Sequence, residues 1–332
     1  MRLRAEAILD AKLIQLRLLP EEKVVEELAG RLSPEIYQAI LDCLQDGVCL
    51  VDRERRIVFW NQGAEQITGF QRQEVLGRAC TKQIFSHSTS DGRALCGPAC
   101  PLARTIHDGK TRNSELFLRH REGHCIPVST RTTAIRTASG ELIGVAEVFE
   151  RGSNAACRQS RSYELNAHGC LDALTGAAYR AYATTYLAEQ ISEFEAYELP
   201  LSVLRVDVDG LRDVNHSRGR EAGNAVLRLV ARTLAESLAH GDLLSRMDED
   251  EFLVILTSCS GEALLDLAER ARLVVSFSAI SWWGEELSVT VSIGGATARR
   301  GDTVDTLLAR AGGALASSKS SGGNRVTLQG EA

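Results

Sequence analysis

Acidic side chains are concentrated at two points of the chain, where one apolar run ends and another begins. Asp207 and Asp209 close the run SVLRVDVD, and Asp248–Glu251 immediately precede FLVIL in the stretch SRMDEDEFLVIL. Strand alternation would place Asp207 and Asp209 on one face, and a hairpin would bring Asp250 close to Asp207. Two strand-end carboxylates and a main-chain carbonyl suit Mg²⁺, which prefers hard oxygen ligands and retains water and substrate phosphates. The alternative is that these acids face solvent and bind nothing.

Three cysteines and a histidine form a second candidate site in the first half of the chain. Cys80, Cys96 and Cys100 lie in one insertion, with His87 between the first two. Thiolates and an imidazole suit a zinc or iron–sulfur centre. A thiol–disulfide switch that uses two of the three cysteines is a second functional interpretation. The third interpretation is that the cysteines pack as small hydrophobic side chains.

The periodicity of apolar residues predicts the elements that must position these groups. Residues 1–35 are predicted as an N-terminal helical segment, and 36–150 as a small α+β domain with a helix–loop centre between antiparallel strands. Residues 151–171 are predicted as a linker that is helical in part. Residues 172–328 alternate between helix and strand, which predicts an α/β domain with helices packed on a central sheet.

Composition sets limits on the class of protein. At 332 residues, with 44% apolar and 25% charged residues, the chain is long enough for about two globular domains. The net charge of −6 argues against a nucleic-acid-binding protein. No apolar run approaches the ~20 residues of a membrane span, and the N-terminus lacks the pattern of a signal peptide. We therefore expect a cytoplasmic protein without a membrane span, in which disulfides are not the default.

The order of short motifs in the second domain resembles the GGDEF family of diguanylate cyclases. The motifs are DALTG (172–176), VDVDGLRDVN (206–215), RGREAGNAVL (218–227), RMDEDEF (246–252), SIG (292–294) and SKSSGGNRV (318–326). Members of this family have a nucleotide-cyclase palm-like fold and condense two GTP molecules into cyclic di-GMP. Each of two facing subunits holds one GTP, so the resemblance implies a homodimer.

The resemblance also implies a role for each matched residue. The implied catalytic acids are Asp207, Asp250 and Glu251. The implied Mg²⁺ ligands are Asp207, the backbone carbonyl of Val208, and Asp250. The implied substrate-binding residues are Leu211, Arg212, Asn215, Asn224 and Lys319, with Asn215 on guanine and Lys319 on phosphate. The implied chemistry is phosphoryl transfer by positioning and neutralisation of charge by metal.

The sequence departs from the family pattern at positions that matter for nucleotide binding. Asp248 and Glu249 replace the two signature glycines, which in the family form a tight turn beside the nucleotide. At about 5 Å and an effective dielectric constant near 20, each added carboxylate would repel a phosphate charge by roughly 3 kcal/mol. Gly323 replaces an arginine that contacts phosphate. Ala239 replaces the arginine of the product-inhibition motif, so no cyclic di-GMP binding is predicted beside Asp242.

These departures leave three interpretations of the second domain. The domain is a regulatory or interaction module without catalysis, a GTP-binding but inactive domain, or an active cyclase that tolerates the altered turn. The first two predict a sensor that acts through other signalling proteins.

The first domain resembles PAS sensor domains. The resemblance is carried by DGVCLVDRERRIVFWNQGAEQITGFQRQEVLGR (46–78) and by EGHCIPVSTRTTAIRTASGELIGVAEVFE (122–150). PAS domains sense small molecules, light, redox state or metals and pass the result along a helical linker to an output domain. The resemblance therefore implies a sensor coupled to the GGDEF-like domain.

Overall fold

The computed structural model describes residues 34–80, 84–89, 93–97, 99–152, 169–239 and 241–329. Almost all of the predicted N-terminal helical segment, and residues 153–168 of the predicted linker, lie outside the described residues. The described chain forms two six-stranded sheets and a separate two-stranded hairpin. The predicted class is confirmed: an antiparallel sheet domain is followed by a domain with a central sheet flanked by helices.

The first domain is built on an antiparallel sheet with the strand order β2-β1-β6-β5-β4-β3. Its elements are α1 (Pro34–Asp42), β1 (Gly47–Asp52), β2 (Ile57–Trp60), α2 (Gln62–Thr68), α3 (Arg72–Val75), β3 (His87–Ser88), α4 (Pro101–Asp108), β4 (Arg112–Arg119), β5 (Cys125–Arg136) and β6 (Leu142–Arg151). The helices cover one face of the sheet, and a core that includes Trp60, Phe85 and Phe149 lies between them.

Asn61 fixes the entry to the helical part of this domain. Its Oδ1 caps α2 by accepting the Ala64 N–H at 2.8 Å and also accepts the Val48 N–H at 2.7 Å. Its side-chain amide donates to the carbonyls of Leu41 and Asp46. A buried asparagine with every polar atom bonded ties α1, β1 and α2 together, which explains why the WN pair stands at this point of the sequence.

The second domain contains a mixed sheet with the order β14-β13-β8-β10-β9-β7, in which only the outer pairs are parallel. Its elements are β7 (Ala178–Tyr179), α5 (Arg180–Tyr197), β8 (Ser202–Val208), α6 (Leu211–Arg218), α7 (Arg220–Glu236), β9 (Leu243–Arg246), β10 (Glu251–Leu256), α8 (Gly261–Phe277), β11 (Ile280–Trp282), β12 (Glu285–Leu287), β13 (Val291–Thr297), α9 (Val304–Ser320) and β14 (Val326–Leu328). Strand β8 lies in the middle of the sheet and is buried on both faces, because α7 and α8 cover one face and α5 and α9 cover the other.

The apolar alternation in ELSVTVSIGGAT predicts a single strand, but the structure divides this run into β12 and β13. Strand β12 pairs with β11 in a separate hairpin, whose turn residues Trp283 and Gly284 both have positive φ. The chain then crosses to the central sheet, where the Thr290 carbonyl accepts the Asp209 N–H at 2.9 Å. Alternation alone does not reveal such a change of sheet, because both strands keep the same pattern.

The two domains contact each other through the turn between β4 and β5. The Gly123 carbonyl accepts the Ala279 N–H at 3.3 Å, and the Arg119 guanidinium donates to the Ala279 carbonyl at 2.8 Å. Phe117, Cys125 and Val274 form a small apolar cluster across the contact. None of the helices in the described ranges combines the length and apolarity needed to cross a membrane.

Candidate functional site

The predicted carboxylate site forms where β8 ends and β10 begins. Glu251 lies directly opposite Asp207 in the antiparallel register, and the Val208 N–H donates to the Asp250 carbonyl at 3.0 Å. Asp207 is only 6% exposed. The hairpin therefore brings Asp207, Val208, Asp250 and Glu251 together at one edge of the sheet, as the sequence predicts.

Two side-chain cations neutralise the acids of this site. Lys319 Nζ from α9 lies 2.5 Å from Asp207 Oδ2. The Arg205 guanidinium makes a two-pronged contact with Glu251, in which Nη2 donates to Oε2 at 2.7 Å and Nε donates to Oε1. Arg205 fits beneath α9 because Gly312 has no side chain, and a Cβ there would collide with Arg205 Nη1.

Burial and the neighbouring acids affect the charge of Asp207. Burial, reinforced by the nearby Asp250 and Glu251 carboxylates, raises the pKa of Asp207, and the Lys319 pair offsets only part of that increase. The hydrogen bond to Glu251 raises the pKa of Arg205 further, so its guanidinium stays charged. Two acids of the site, Asp207 and Glu251, are thus already paired with cations of the protein.

Asp209 has a structural role that alternation alone does not predict. Its carboxylate accepts hydrogen bonds from the Thr290 and Ser292 hydroxyls, both at 2.7 Å, and from the Asn324 N–H at 3.0 Å. These bonds join the end of β8 to β13 and to the loop after α9. Asp209 is therefore occupied by the protein's own donors, whereas Asp207 faces the acids of the hairpin.

The turn that replaces the two signature glycines does not require glycine. Asp248 and Glu249 are absent from the positive-φ residues of the described chain, and both are exposed. Asp248 Oδ1 accepts the Glu249 N–H at 2.9 Å, so this side chain folds back on its own turn. Arg246 donates to the carbonyls of Asp248 and Glu249 and pairs with Asp172 at 3.2 Å. The backbone conformation of this turn therefore does not require glycine at either position. The negative charge that Asp248 and Glu249 add to the turn remains.

The predicted substrate-binding residues occupy different environments. Asn215 on α6 packs against Gly223 of α7, the residue that precedes Asn224. Arg212 is exposed on α6. Leu211 is only 5% exposed and packs in the core, so its side chain supports α6.

The positions that lack the family's arginines are also accounted for by local structure. Gly323 has a φ of 73°, a left-handed conformation that an arginine would adopt only with strain. The Asp242 carboxylate accepts the backbone N–H groups of Ala239 at 2.8 Å and Thr257 at 3.1 Å, so it caps a turn.

The cysteine insertion of the first domain surrounds the Phe85 carbonyl. Cys80 Sγ and Cys96 Sγ each lie 3.9 Å from the Phe85 oxygen. His87 and Glu147 are both 0% exposed, and His87 Nε2 lies 3.0 Å from Glu147 Oε1. The buried Cys100 thiol lies beside the His87 ring, although no hydrogen bond of good geometry reaches His87 Nδ1.

Comparison with known protein families agrees with both halves of this description. A sequence model described as "PAS domain" matches residues 45–150, and one described as "Diguanylate cyclase, GGDEF domain" matches residues 170–325. The chain is a PAS domain followed by a GGDEF domain. Its GGDEF domain belongs to the diguanylate cyclase family, whose characterised members use Mg²⁺ with GTP.

Individual relatives cover the chain to different extents. The chain is 26% identical over 297 residues to the probable diguanylate cyclase DgcE of Escherichia coli K12, an alignment that covers 84% of this chain and 26% of that protein. It is 37% identical over 158 residues to the response regulator PleD of Caulobacter vibrioides, with 47% of this chain and 35% of that protein covered. The chain thus spans about a quarter to a third of the length of these relatives.

Among solved structures, the GGDEF domain is similar to that of DgcB from Caulobacter crescentus in complex with c-di-GMP. The sequence identity is 28% and the TM-score is 0.47, with 48% of this chain and 93% of that chain covered.

In the PAS domain, the surroundings of the insertion shift the thiol pKa values of Cys80 and Cys100 in opposite directions. Burial alone would lower the pKa of His87, but the adjacent Glu147 carboxylate outweighs burial and raises it. Burial opposes ionisation of Cys100, but the adjacent His87 side chain and the Ala103 N–H lower the pKa of its thiol. Burial raises the pKa of Cys80.

The predicted metal-binding set of the PAS domain is not preassembled. No three of Cys80, His87, Cys96 and Cys100 bring their ligand atoms within 4.8 Å of one another. Among the described residues, the group that does so is a different one, His120, Glu122 and His124 in the turn between β4 and β5. Burial lowers the pKa of His120 to about 4 and that of His124 to about 3, and neighbouring arginines contribute.

Sequence reasoning missed several residues that complete these sites. Arg205 lies inside an apolar strand, and only the missing side chain of Gly312 makes room for its head group. Arg246 lies two residues before Asp248, and this closeness in sequence could have indicated that it contacts the altered turn. Glu147 lies in the alternating strand GVAEVFE, where a glutamate at a buried position was detectable as an exception to the pattern.

Proposed function

We propose that this chain is a signalling protein in which a PAS sensor controls a GGDEF domain with little or no cyclase activity. The observation that carries the proposal is the internal pairing of two acids of the site, Asp207 with Lys319 and Glu251 with Arg205. Both of these acids already have a protein cation, and two further carboxylates, Asp248 and Glu249, stand on the exposed turn. The output of the domain would be a change of conformation or of partner.

The oxygen donors themselves fit the cation that this family uses. Asp207 and Asp250, with the backbone of Val208 between them, would hold Mg²⁺, and Mg²⁺ would supply charge neutralisation for the nucleotide phosphates. Binding requires Lys319 to leave Asp207 and to contact phosphate instead. The Arg205 contact with Glu251 would stay, because two parallel hydrogen bonds hold it in the sheet.

The alternative is an active cyclase that makes cyclic di-GMP from two GTP molecules. One observation favours it: the turn forms without a positive φ at Asp248 or Glu249, and Asp248 folds back on its own backbone. In this case Asp207, Asp250, Asn215 and Lys319 carry the reaction, and the altered turn is only a modest handicap.

An incubation of purified full-length protein with Mg²⁺ and labelled GTP separates the two functions. We expect no cyclic di-GMP from the natural chain, because each carboxylate beside the phosphates would repel them by roughly 3 kcal/mol, a factor of about 100 per group. We expect the double variant Asp248→Gly with Glu249→Gly to bind GTP more tightly by at least tenfold, as measured by titration with a fluorescent GTP analogue.

The control is Asp250→Ala in the glycine-restored background, which should abolish any product and weaken Mg²⁺-dependent GTP binding. Turnover by the natural chain that disappears in Asp250→Ala would overturn the proposed function and establish the cyclase. Equal GTP affinity with and without the two glycines would remove the electrostatic argument.

We also propose that the protein is a cytoplasmic homodimer that acts on other signalling proteins. In this family the two GTP sites belong to facing subunits, so a regulatory GGDEF domain retains a reason to pair. The exposed apolar residues of α1 and the turn after it, Ile36, Tyr37, Ile40 and Leu44, support self-association at the N-terminal side of the PAS domain.

The PAS core is the proposed site of signal detection, with Cys80, His87, Cys96 and Cys100 as its reactive groups. The contact between the β4–β5 turn and the GGDEF domain supports a second route for the signal beside the linker. Arg151, at the end of β6, pairs with Glu236 of α7 at 2.9 Å, so this strand joins the PAS core to the output domain.

A further inference from the structure

We propose that His87 Nδ1 and the thiolates of Cys80, Cys96 and Cys100 bind a zinc or iron centre in the PAS core, with Glu147 as the carboxylate that orients His87. This inference gives the proposed sensor a ligand, but it does not depend on the state of the GGDEF domain, because metal content is measured directly.

His87 and Glu147 form a buried ionisable pair in the PAS core. His87 and Glu147 are both 0% exposed, and the side chains around them include Phe85, which packs edge-to-face on the His87 ring at 4.7 Å. Burial of two ionisable groups is costly unless every polar atom is satisfied. Here His87 Nδ1 and Glu147 Oε2 are both buried without a hydrogen-bond partner. The pair is therefore incomplete.

The imidazole of His87 is oriented by Glu147. His87 Nε2 is held by Glu147 Oε1 at 3.0 Å, which leaves Nδ1 pointing away from the carboxylate toward Cys100. A histidine that binds metal almost always uses its other ring nitrogen to hydrogen-bond a carboxylate or carbonyl. The geometry at His87 is that of a metal ligand with its outer carboxylate in place.

The three cysteine sulfur atoms come from different parts of the PAS domain. Cys100 immediately precedes α4, and Cys80 and Cys96 come from irregular stretches on either side of β3. Both of these sulfurs lie 3.9 Å from the same Phe85 carbonyl, so they are no farther apart than the sum of those distances. Metal–sulfur bonds are about 2.3 Å long. Binding therefore requires Cys80 and Cys96 to move inward, which their position outside helices and strands permits.

A rival site lies at the turn between β4 and β5, where the ligand atoms of His120, Glu122 and His124 are closer together. Its surroundings disfavour a dication. Glu122 already pairs with Arg232, and His120 Nδ1 accepts the Glu122 N–H at 3.1 Å. Arg121, Arg151 and Arg232 all place positive charge near His120. In the described part of the chain, Arg55 places positive charge near Cys80, and the thiol set offers softer ligands than the turn does.

The test is metal analysis of the full-length protein purified without oxygen. We expect about one zinc, or iron with labile sulfide, per chain. The variants Cys96→Ser and His87→Ala should lose it, and the exposed Cys43→Ser should retain it. Glu147→Gln should bind the metal about 10–100-fold more weakly, because the imidazole loses its orienting carboxylate. Near-ultraviolet circular dichroism would verify that each variant is folded.

A cobalt titration of the chelator-treated natural chain tests the ligands without relying on any variant. Thiolate ligation should produce a sulfur-to-cobalt charge-transfer band together with the visible bands of a tetrahedral site. The inference is overturned if the protein holds no metal and cobalt gives no such band. It is equally overturned if Cys96→Ser and His87→Ala retain full metal, or if His124→Ala loses the metal instead.

Discussion

At the scale of single residues, the candidate site of the GGDEF domain contains its own counter-ions. Lys319 contacts Asp207 and Arg205 contacts Glu251, so each of these two acids has a counter-ion from the protein itself. Glu251 is the better held of the two, because its guanidinium contact has two prongs. Removal of Arg205 would therefore show how much the partly buried carboxylates destabilise the fold when Glu251 has no counter-ion.

We expect Arg205→Met to lower the free energy of unfolding by about 1–3 kcal/mol, because Glu251 is left partly buried without a partner. The same change should strengthen Mg²⁺ binding, since one carboxylate is freed. Urea unfolding and titration with Mg²⁺ would measure the two effects.

The double variant Arg205→Met with Glu251→Gln should recover most of the lost stability, and Arg180→Met, an exposed arginine on α5, should change little. If Arg205→Met and Arg180→Met are equally stable, the contact with Glu251 contributes nothing.

At the scale of elements, α9 is shaped by two consecutive glycines that have opposite surroundings. A Cβ at Gly312 would meet Arg205, whereas a Cβ at Gly313 would meet nothing within 4 Å. Glycine inside a helix costs about 1 kcal/mol relative to alanine. The cost at Gly312 is therefore offset by the space that it gives to Arg205, and the cost at Gly313 is not.

Gly313→Ala is expected to raise the free energy of unfolding by about 0.5–1 kcal/mol. Gly312→Ala is expected to lower it, because the collision with Arg205 outweighs the gain in helix propensity. The two neighbouring substitutions are matched controls for each other, and thermal unfolding measures both. An equal gain from both would show that Arg205 does not need the space.

Elements were predicted from sequence more reliably than the contacts between them. The alternation in SVLRVDVD and the acidic run before FLVIL predicted β8, β10 and the meeting of Asp207 with Asp250, since register follows from strands and a hairpin. The packing of Arg205 beneath α9 was not predictable, because it depends on a glycine far away in the chain. The expected need for glycine at 248 and 249 came from the resemblance, and the backbone of this turn does not share it.

At the scale of the whole molecule, the PAS and GGDEF domains meet in a contact that the sequence pattern of neither domain predicts. The apolar part consists of Phe117 and Cys125 from the PAS sheet and Val274 from α8. Charge pairs surround it, with Arg119 on Glu286 at 2.9 Å and Arg232 on Glu122. A contact between separate domains leaves no periodic signal, because each residue satisfies the pattern of its own element.

Val274→Lys is expected to separate the two domains, because it places a charge in the apolar part of this contact. Unfolding by heat should change from one transition to two, and amide hydrogens of the β4–β5 turn should exchange at least tenfold faster. Calorimetry and hydrogen exchange would measure these changes. Leu265→Lys is the control, because this leucine is exposed on the same helix. Identical exchange in the two variants would show that the domains are not coupled here.

The Asp172–Arg246 pair has a mechanical consequence for such a protein. Asp172 stands close to the start of the GGDEF domain, and the same arginine grips the carbonyls of Asp248 and Glu249. A displacement of Asp172 would be transmitted to the acidic turn through two side chains, those of Asp172 and Arg246. The position of Asp248 and Glu249 therefore depends on the chain at the start of the GGDEF domain.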